Sequence, residues 1–356
     1  MDPRIREHAR VLVDHCTDVG AGDMVVVNAP ACADDLTVAL HAELGARGAR
    51  SLLTATNRRA ERAYLRELDP EAVPGYDHVV AALEAADVHI SVLANENTSE
   101  LSDVPPAVRQ ADDRAAAAVQ EAAPERRVLT QHPASGDAQT AEMSTEAYAE
   151  FVYDAVNRDW AAQREYQARL VERLNPAEEV RIVAGDGTDL SMSVAGMDAV
   201  NDAGEQNMPG GEVFTAPVPE SVAGTVHFDY PVLVSGHEVV DATLTFADGE
   251  VVDFDAARNA AVLGDLLETD AGARRVGELG VGMNDAIDRF TRNMLFDEKM
   301  AGTVHLALGR SIPTSVGENE EGNVSAVHQD MLLEMGEGSR LEIDGETVQT
   351  DGEFVF

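Results

Sequence analysis

Short apolar runs alternate with amphipathic segments through the first 160 residues. The apolar runs, which are typical of buried strands, are 22–30, 51–56, 87–94 and 126–133. The segments with helical spacing are 33–48, 58–68 and 106–122. Strands that alternate with helices form parallel sheets covered on both faces. The pattern therefore predicts an N-terminal parallel α/β domain over residues 1–160.

The pattern changes after two consecutive helical segments, 144–160 and 161–174. Beyond them, stretches with alternating apolar positions are separated by Asp-Gly-Glu turns, which favour antiparallel hairpins. These turns lie at 248–250, 344–346 and 351–353. Further helices are predicted near 255–270 and 284–293. Residues 161–356 are therefore predicted to form a second, larger domain of mixed or antiparallel α+β structure.

The chain is strongly acidic. It holds 65 acidic residues against 26 basic ones, a formal net charge of −39, and Lys299 is its only lysine. The acids are spread along the chain and 44% of the residues are hydrophobic, which favours a folded core over disorder. Such a surface stays hydrated, and concentrated salt screens its self-repulsion. We therefore expect a halophilic protein with no nucleic acid or anionic membrane as a partner.

Cysteine content and the first residues bear on the compartment. Cys16 and Cys32 are the only cysteines, too few for a disulfide scaffold or an all-cysteine zinc site. The first 16 residues are charged and helical in pattern and have no apolar signal-peptide core. Apolar runs stay well short of the roughly 18 residues of a membrane span. These features predict a cytoplasmic protein.

A His-x-Asp pair is the first candidate for chemistry. His328 and Asp330 lie in "NVSAVHQDM", and His305 lies in the apolar run "GTVHLALG". If the segment of the pair is a strand, its two side chains share one face. An imidazole beside a carboxylate suits a divalent transition metal. A solvated histidine beside one of many acids is the alternative.

Two isolated glutamates strengthen the metal hypothesis. Glu212 in "NMPGGEVFTAPVP" and Glu278 in "GELGVGMN" have only apolar, Gly, Pro and other uncharged neighbours, unlike most acids of this chain. Burying a carboxylate costs several kcal/mol unless it is paired or coordinated. Glu298 belongs to this group less strictly, because an ion pair with the adjacent Lys299 would also explain it.

Four runs of the sequence occur together in a known order across residues 207–331. They are "NMPGGEVFTAPVPESVAGT", "GELGVGMND", "LFDEKMAGTVHLALG" and "NVSAVHQDM". In this order the runs resemble the thermophilic metallo-aminopeptidase family of aminopeptidase T and S type. Weaker similarity extends towards the N-terminus and covers most of the chain.

The resemblance implies a function and a set of site residues. It implies a homodimer of two-domain chains that releases N-terminal residues from small peptides, using two divalent metal ions. The implied metal ligands are Glu212, Glu278, His305, His328 and Asp330. The candidates for the general base are Glu212, Glu278 and Glu298. The oxygen-rich ligand set suits zinc, cobalt or manganese, and the sequence does not choose among them.

One position departs from the family pattern. The family has a tyrosine seven residues after the first metal histidine, where it is held to stabilise the tetrahedral intermediate, and this chain has Ile312. Loss of one such donor typically costs about 10²–10³ in rate. Arg310 or Ser311 could supply a replacement donor. Two alternatives to an efficient aminopeptidase therefore stay open: a metal- or peptide-binding homologue with weak or lost activity, and a metallohydrolase of another amide or ester.

Overall fold

Helices and strands alternate in the first half of the chain, and strands dominate the second half. The computed structural model describes residues 1–185, 187–234 and 236–356. The α-helices are Pro3–Arg10 (α1), Asp34–Arg47 (α2), Arg58–Leu65 (α3), Asp77–Glu84 (α4), Pro106–Glu121 (α5), Ser135–Thr140 (α6), Thr145–Val156 (α7), Trp160–Leu174 (α8), Ala260–Leu267 (α9) and Met294–Asp297 (α10). In the described ranges, none of these helices has the length and apolar character needed to cross a membrane.

The strands are short in both halves. They are Met24–Pro30 (β1), Arg50–Thr56 (β2), Val88–Leu93 (β3), Arg126–Gln131 (β4), Glu179–Ala184 (β5), Thr188–Ser193 (β6), Val200–Asp202 (β7), Asn207–Met208 (β8), Glu212–Thr215 (β9), Ala223–Phe228 (β10), Val232–Val234 (β11), His237–Ala247 (β12), Glu250–Arg258 (β13), Val276–Gly282 (β14), Thr303–Gly309 (β15), His328–Glu334 (β16), Arg340–Ile343 (β17), Glu346–Thr350 (β18) and Glu353–Phe354 (β19). Each predicted strand of the first half lies on an observed one.

The chain forms two compact units. The first contains residues 1–158 and 204–210, and the second contains 159–203 and 211–356. The first unit holds a parallel sheet in the order β2-β1-β3-β4-β8, so the predicted parallel α/β architecture is confirmed. Its last strand comes from the excursion at 204–210. The sequence prediction, which divides the chain at 160/161, contains no such excursion.

The second unit contains two antiparallel sheets, as the hairpin pattern predicts. One runs β11-β12-β10-β6-β5-β17-β18-β19, with β13 beside β12. The other runs β16-β15-β14-β9-β7 and is here called the site sheet. Both sheets contribute to one hydrophobic core, which includes Leu190, Val226 and Leu244 from the first and Leu279, Val304 and Leu306 from the site sheet.

The two faces of the site sheet have opposite chemistry. Alternate residues of its strands, among them Leu279, Val281, Leu306 and Met331, enter the core. The residues between them point the other way because side chains alternate along a strand. That second face carries Glu278, Gly280, His305 and Asp330. The apolar face therefore fixes the register that places polar side chains together on the other.

The structure corrects two predicted helices. The helix predicted near 284–293 is wrong, because this segment is irregular. Side chains satisfy its backbone instead: the carboxylate of Asp297 accepts hydrogen bonds from the N–H and the hydroxyl of Thr291, both at 2.7 Å. The helix predicted from about 255 begins only at Ala260, because β13 continues to Arg258 and pairs with β12.

Candidate metal centre

Glu212 begins β9 and is held from both sides of its backbone. The preceding Gly211 has φ +115°, and a Cβ there would lie 2.5 Å from Cβ of Asn284, so only glycine fits. The Nε2 of Gln167, a buried residue of α8, donates to the carbonyl oxygen of Glu212 at 2.7 Å. The same amide nitrogen donates to the carbonyl of Asp202 on β7 at 3.0 Å. These contacts fix the backbone position of Glu212, and with it the point from which the side chain enters the site.

Glu278 and His305 meet across β14 and β15. The Nε2 atom of His305 lies 3.3 Å from Oε1 of Glu278 and 3.5 Å from Oε2 of Glu212. The imidazole lies against Gly280, where an added Cβ would come within 2.0 Å of its Cε1. The glycine in the predicted motif therefore provides the space that the histidine ring occupies.

His328 and Asp330 lie two residues apart at the start of β16. The Nε2 atom of His328 lies 3.8 Å from Oε2 of Glu278 and 3.7 Å from Oδ1 of Asp330. Its Nδ1 lies 2.8 Å from the carbonyl oxygen of Arg310, which can only accept, so Nδ1 carries the proton. Nε2 is then the ring atom that faces the two carboxylates. A hydrogen bond from the outer ring nitrogen to a carbonyl oxygen is also how metal-binding histidines are normally oriented.

All five predicted ligands therefore lie in one continuous group, although 118 positions of chain (330 − 212) separate the first from the last. Donor atoms of Glu212, Glu278 and His305 lie within 4.8 Å of one another, and these three residues are buried. His328 joins them through Glu278, and Asp330 joins through His328. Both are half-buried, with 22% and 14% of their side chains exposed. The group has an enclosed end and an end that solvent reaches.

Lys299 is a residue in contact with the candidate site that sequence reasoning missed. It is fully buried, and its Nζ donates to Oε1 of Glu212 at 3.0 Å and also to Oε1 of Glu298. Glu298 therefore does form the predicted ion pair with Lys299, but Lys299 also pairs with Glu212, one of the predicted metal ligands. The signal was available in the sequence, since the only lysine of an acidic chain lies inside a motif.

Ile312 is half-buried, one residue before a short 3₁₀ turn, Pro313–Ser315. The hydroxyl of Ser311, one of the two proposed replacement donors, accepts the N–H of Asn323 at 2.9 Å, and Ser311 is buried. The side chain of Arg310 is exposed, and its carbonyl serves His328. Among the described residues, no hydrogen bond joins either side chain to a proposed metal ligand.

The charges of the site perturb one another strongly. Burial raises the pKa of Glu212 to about 8 against the opposing charge of Lys299. Burial, with the charge of Glu298, raises the pKa of Asp330 to about 6. Burial lowers the pKa of His305, but its hydrogen bond with Glu278 and the charge of Glu212 outweigh burial and raise it to about 10. The buried charges of the group thus interact strongly with one another, and a divalent cation, which binds the deprotonated ligands, would change this balance.

The residues fit a metal by two further criteria. Oε2 of Glu212 and Nδ1 of His305 are buried, and neither has a hydrogen-bond partner among the described residues. Buried polar atoms are normally satisfied, so a carboxylate oxygen without a hydrogen-bond partner is suited to bind a cation. Three carboxylates with two imidazoles are also a donor set that divalent transition metals accept.

Comparison with known proteins assigns the family. The model of the thermophilic metalloprotease (M29) family matches residues 1–356. The chain belongs to this family. The predicted family is thereby confirmed, and with it a metalloprotease class for which a divalent cation is implied.

Individual relatives carry aminopeptidase names. The chain is 33% identical to aminopeptidase 2 of Geobacillus stearothermophilus over 222 residues, 55% of this chain and 52% of the relative. It is 34% identical to aminopeptidase T of Thermus aquaticus over 189 residues, 47% of this chain and 45% of the relative. The chain thus spans about half the length of the curated relatives it matches.

Two solved structures share the fold. Wild-type AmpT from Thermus thermophilus superposes with a TM-score of 0.87 at 24% identity over 99% of both chains. The 2,5-dihydroxypyridine dioxygenase from Pseudomonas putida KT2440 superposes with a TM-score of 0.62 at 15% identity, over 99% of this chain and 96% of that one. Because AmpT and a dioxygenase share this fold, function has to be argued from the site.

Proposed function

We propose that this M29-family protein is a metal-dependent aminopeptidase that releases N-terminal amino acids from small peptides. The observation that carries the proposal is the buried Glu212–Glu278–His305 group, extended by His328 and Asp330. The aminopeptidase names of its relatives support the substrate class. All five residues are proposed to hold two divalent ions, zinc, cobalt or manganese.

The arrangement of side chains suggests a different role for each carboxylate. Glu278 has one oxygen towards His305 and the other towards His328, so it is suited to bridge the two halves of the group. Glu212 presents only Oε2, because Oε1 is taken by Lys299. Glu298 is not among the proposed ligands and is proposed as a general base that accepts a proton from water.

Bound metal ions would polarise the scissile carbonyl and lower the pKa of water at the site. The chain itself supplies the orientation. Gln167 and Gly211 fix the backbone position of Glu212. The carbonyl of Arg310 orients the ring of His328. His305 is fully buried, so its ring is shielded from water. Groups held in this way need little rearrangement during the reaction, which favours catalysis.

The test is turnover of aminoacyl-p-nitroanilides by metal-loaded protein in molar KCl. We expect release of p-nitroaniline that EDTA abolishes and that added Zn²⁺, Co²⁺ or Mn²⁺ restores. N-acetylated versions of the same substrates are the control, because an aminopeptidase requires a free N-terminus. Equal turnover of the acetylated substrates would contradict exopeptidase activity.

A second candidate, a metal- or peptide-binding homologue without efficient catalysis, is favoured by one observation. Ile312 cannot donate a hydrogen bond at the position where the family resemblance implies a tyrosine. This candidate predicts bound metal but no turnover of any aminoacyl substrate at any salt concentration. The same assay therefore separates the two.

The proposed setting is the cytoplasm of a halophile, where the protein would act as a homodimer. The net charge of −39 and the content of only two cysteines support the salt-rich, reducing setting. The homodimer rests on the family resemblance.

High salt is expected to stabilise the folded protein. The Debye length is about 30 Å at 0.01 M salt and about 3 Å at 1 M, so the −39 charge repels itself across the molecule only in dilute salt. We expect a higher melting temperature in molar KCl than in low-salt buffer. Sucrose of equal osmolality is the control, because it stabilises by exclusion without screening charge. Equal melting temperatures in molar KCl and in low-salt buffer would contradict the halophilic interpretation.

A further inference from the structure

Lys299 contacts the proposed metal site on one side only. Its ammonium lies 3.0 Å from Oε1 of Glu212, while Oε2 of the same carboxylate faces His305 at 3.5 Å. Oε1 of Glu298 completes the ion pair. The two oxygens of Glu212 therefore face different partners.

The choice of lysine at this position is informative. Every other basic residue of Lys-plus-Arg type in the chain is arginine. Arginine presents a planar fork that matches both oxygens of a carboxylate, whereas the lysine ammonium is a compact charge. A guanidinium at position 299 would occupy both oxygens of Glu212 and leave none for a cation. An ammonium can hold one oxygen of each of two carboxylates.

We propose that Lys299 is a positioning residue that occupies Oε1 of Glu212 and thereby restricts this ligand to a single metal-facing oxygen, Oε2. The inference rests on the metal site of the proposed function. Carboxylates bind metals through one or both oxygens. Without the lysine, Glu212 is free to bind through both, which raises the coordination number at the metal and changes its reactivity.

The test is the visible absorption spectrum of the Co²⁺-loaded full-length protein, with Co²⁺ binding followed by titration. Absorption by Co²⁺ weakens as its coordination number rises. For Lys299→Met we expect full Co²⁺ stoichiometry with loss of molar absorbance, and a kcat about 10- to 100-fold lower. For Lys299→Arg we expect the opposite defect, namely a weaker Co²⁺ affinity by about 10- to 100-fold, because the fork removes Glu212 as a ligand.

The double variant Lys299→Met/Glu298→Gln controls for charge and for folding. Lys299→Met alone leaves two carboxylates without their cation, which can prevent folding. The double variant removes one positive and one negative charge together and leaves Glu212 equally free. We expect it to show the same loss of absorbance as Lys299→Met.

The outcomes separate this inference from the proposed function. Spectra and Co²⁺ affinities identical to wild type in the Arg and double variants would overturn the role of Lys299 while the metal site stands. A wild-type protein that binds no Co²⁺ in molar KCl would overturn the metal site, and with it the proposed function.

Discussion

Glu278→Gln is expected to abolish metal-dependent turnover. Glu278 is the residue whose two oxygens face the two histidines, at 3.3 Å from His305 and 3.8 Å from His328. An amide keeps the shape of the side chain but loses the negative charge and one acceptor. Metal catalysis supplies several kcal/mol of charge stabilisation, and each 1.36 kcal/mol is about tenfold in rate. We therefore expect kcat/KM to fall by about 10³ or more.

Metal content measured by mass spectrometry should fall with the rate. Glu346→Gln is the matched control, because it removes the same charge from an exposed position at the start of β18 in the same unit. We expect Glu346→Gln to keep the wild-type metal content and turnover. A Glu278→Gln protein with wild-type metal content and rate would show that Glu278 is not a ligand.

Ile312→Tyr is expected to raise kcat by about 10- to 10³-fold. The family resemblance places a tyrosine here, where its hydroxyl would donate to the developing oxyanion, and one donor of this kind is worth about 10²–10³ in rate. Position 312 lies two residues after Arg310, whose carbonyl oxygen is 2.8 Å from Nδ1 of His328. The loop that carries position 312 therefore contacts a proposed ligand. Metal affinity should change little, because no proposed ligand is altered.

The matched control for this variant is Ile312→Phe. It adds the ring without the hydroxyl, so a gain in kcat that appears only with tyrosine belongs to the donor. The measurement is steady-state turnover of an aminoacyl-p-nitroanilide at saturating metal in molar KCl. If both variants match wild type while remaining folded and metal-bound, the missing tyrosine does not limit catalysis.

Period-two alternation carried most of what the sequence could predict about the site. It predicted that His328 and Asp330 share a face, and the strand β16 places them two residues apart beside Glu278. The isolation of Glu212 and Glu278 from other charges correctly indicated burial, since both are about 95% buried. These predictions depend only on the pattern of neighbouring residues. That pattern decides which side chains of a strand enter the core and which lie on the opposite face of the site sheet.

The local sequence pattern could not predict contacts between segments that are distant along the chain. The partner of Lys299 is 87 positions away on β9, and no periodicity relates the two. A helix was predicted over 284–293 because the composition of this segment allows one. The carboxylate of Asp297 instead accepts a hydrogen bond from the N–H of Thr291, and the segment is irregular. The excursion 204–210, which adds β8 to the parallel sheet of the first unit, likewise depends on tertiary packing.

The burial of the only lysine has a consequence for the chemistry of the folded surface. Acetylation, ubiquitin-type conjugation and amine-directed cross-linking of a lysine side chain all require that its ε-amine is accessible. The single ε-amine of this chain is fully buried and ion-paired with Glu212 and Glu298. The folded surface therefore offers no lysine to these reactions, and amine reagents reach Lys299 only after the second unit opens. Covalent labelling of one side chain thus reports directly on the integrity of the metal site.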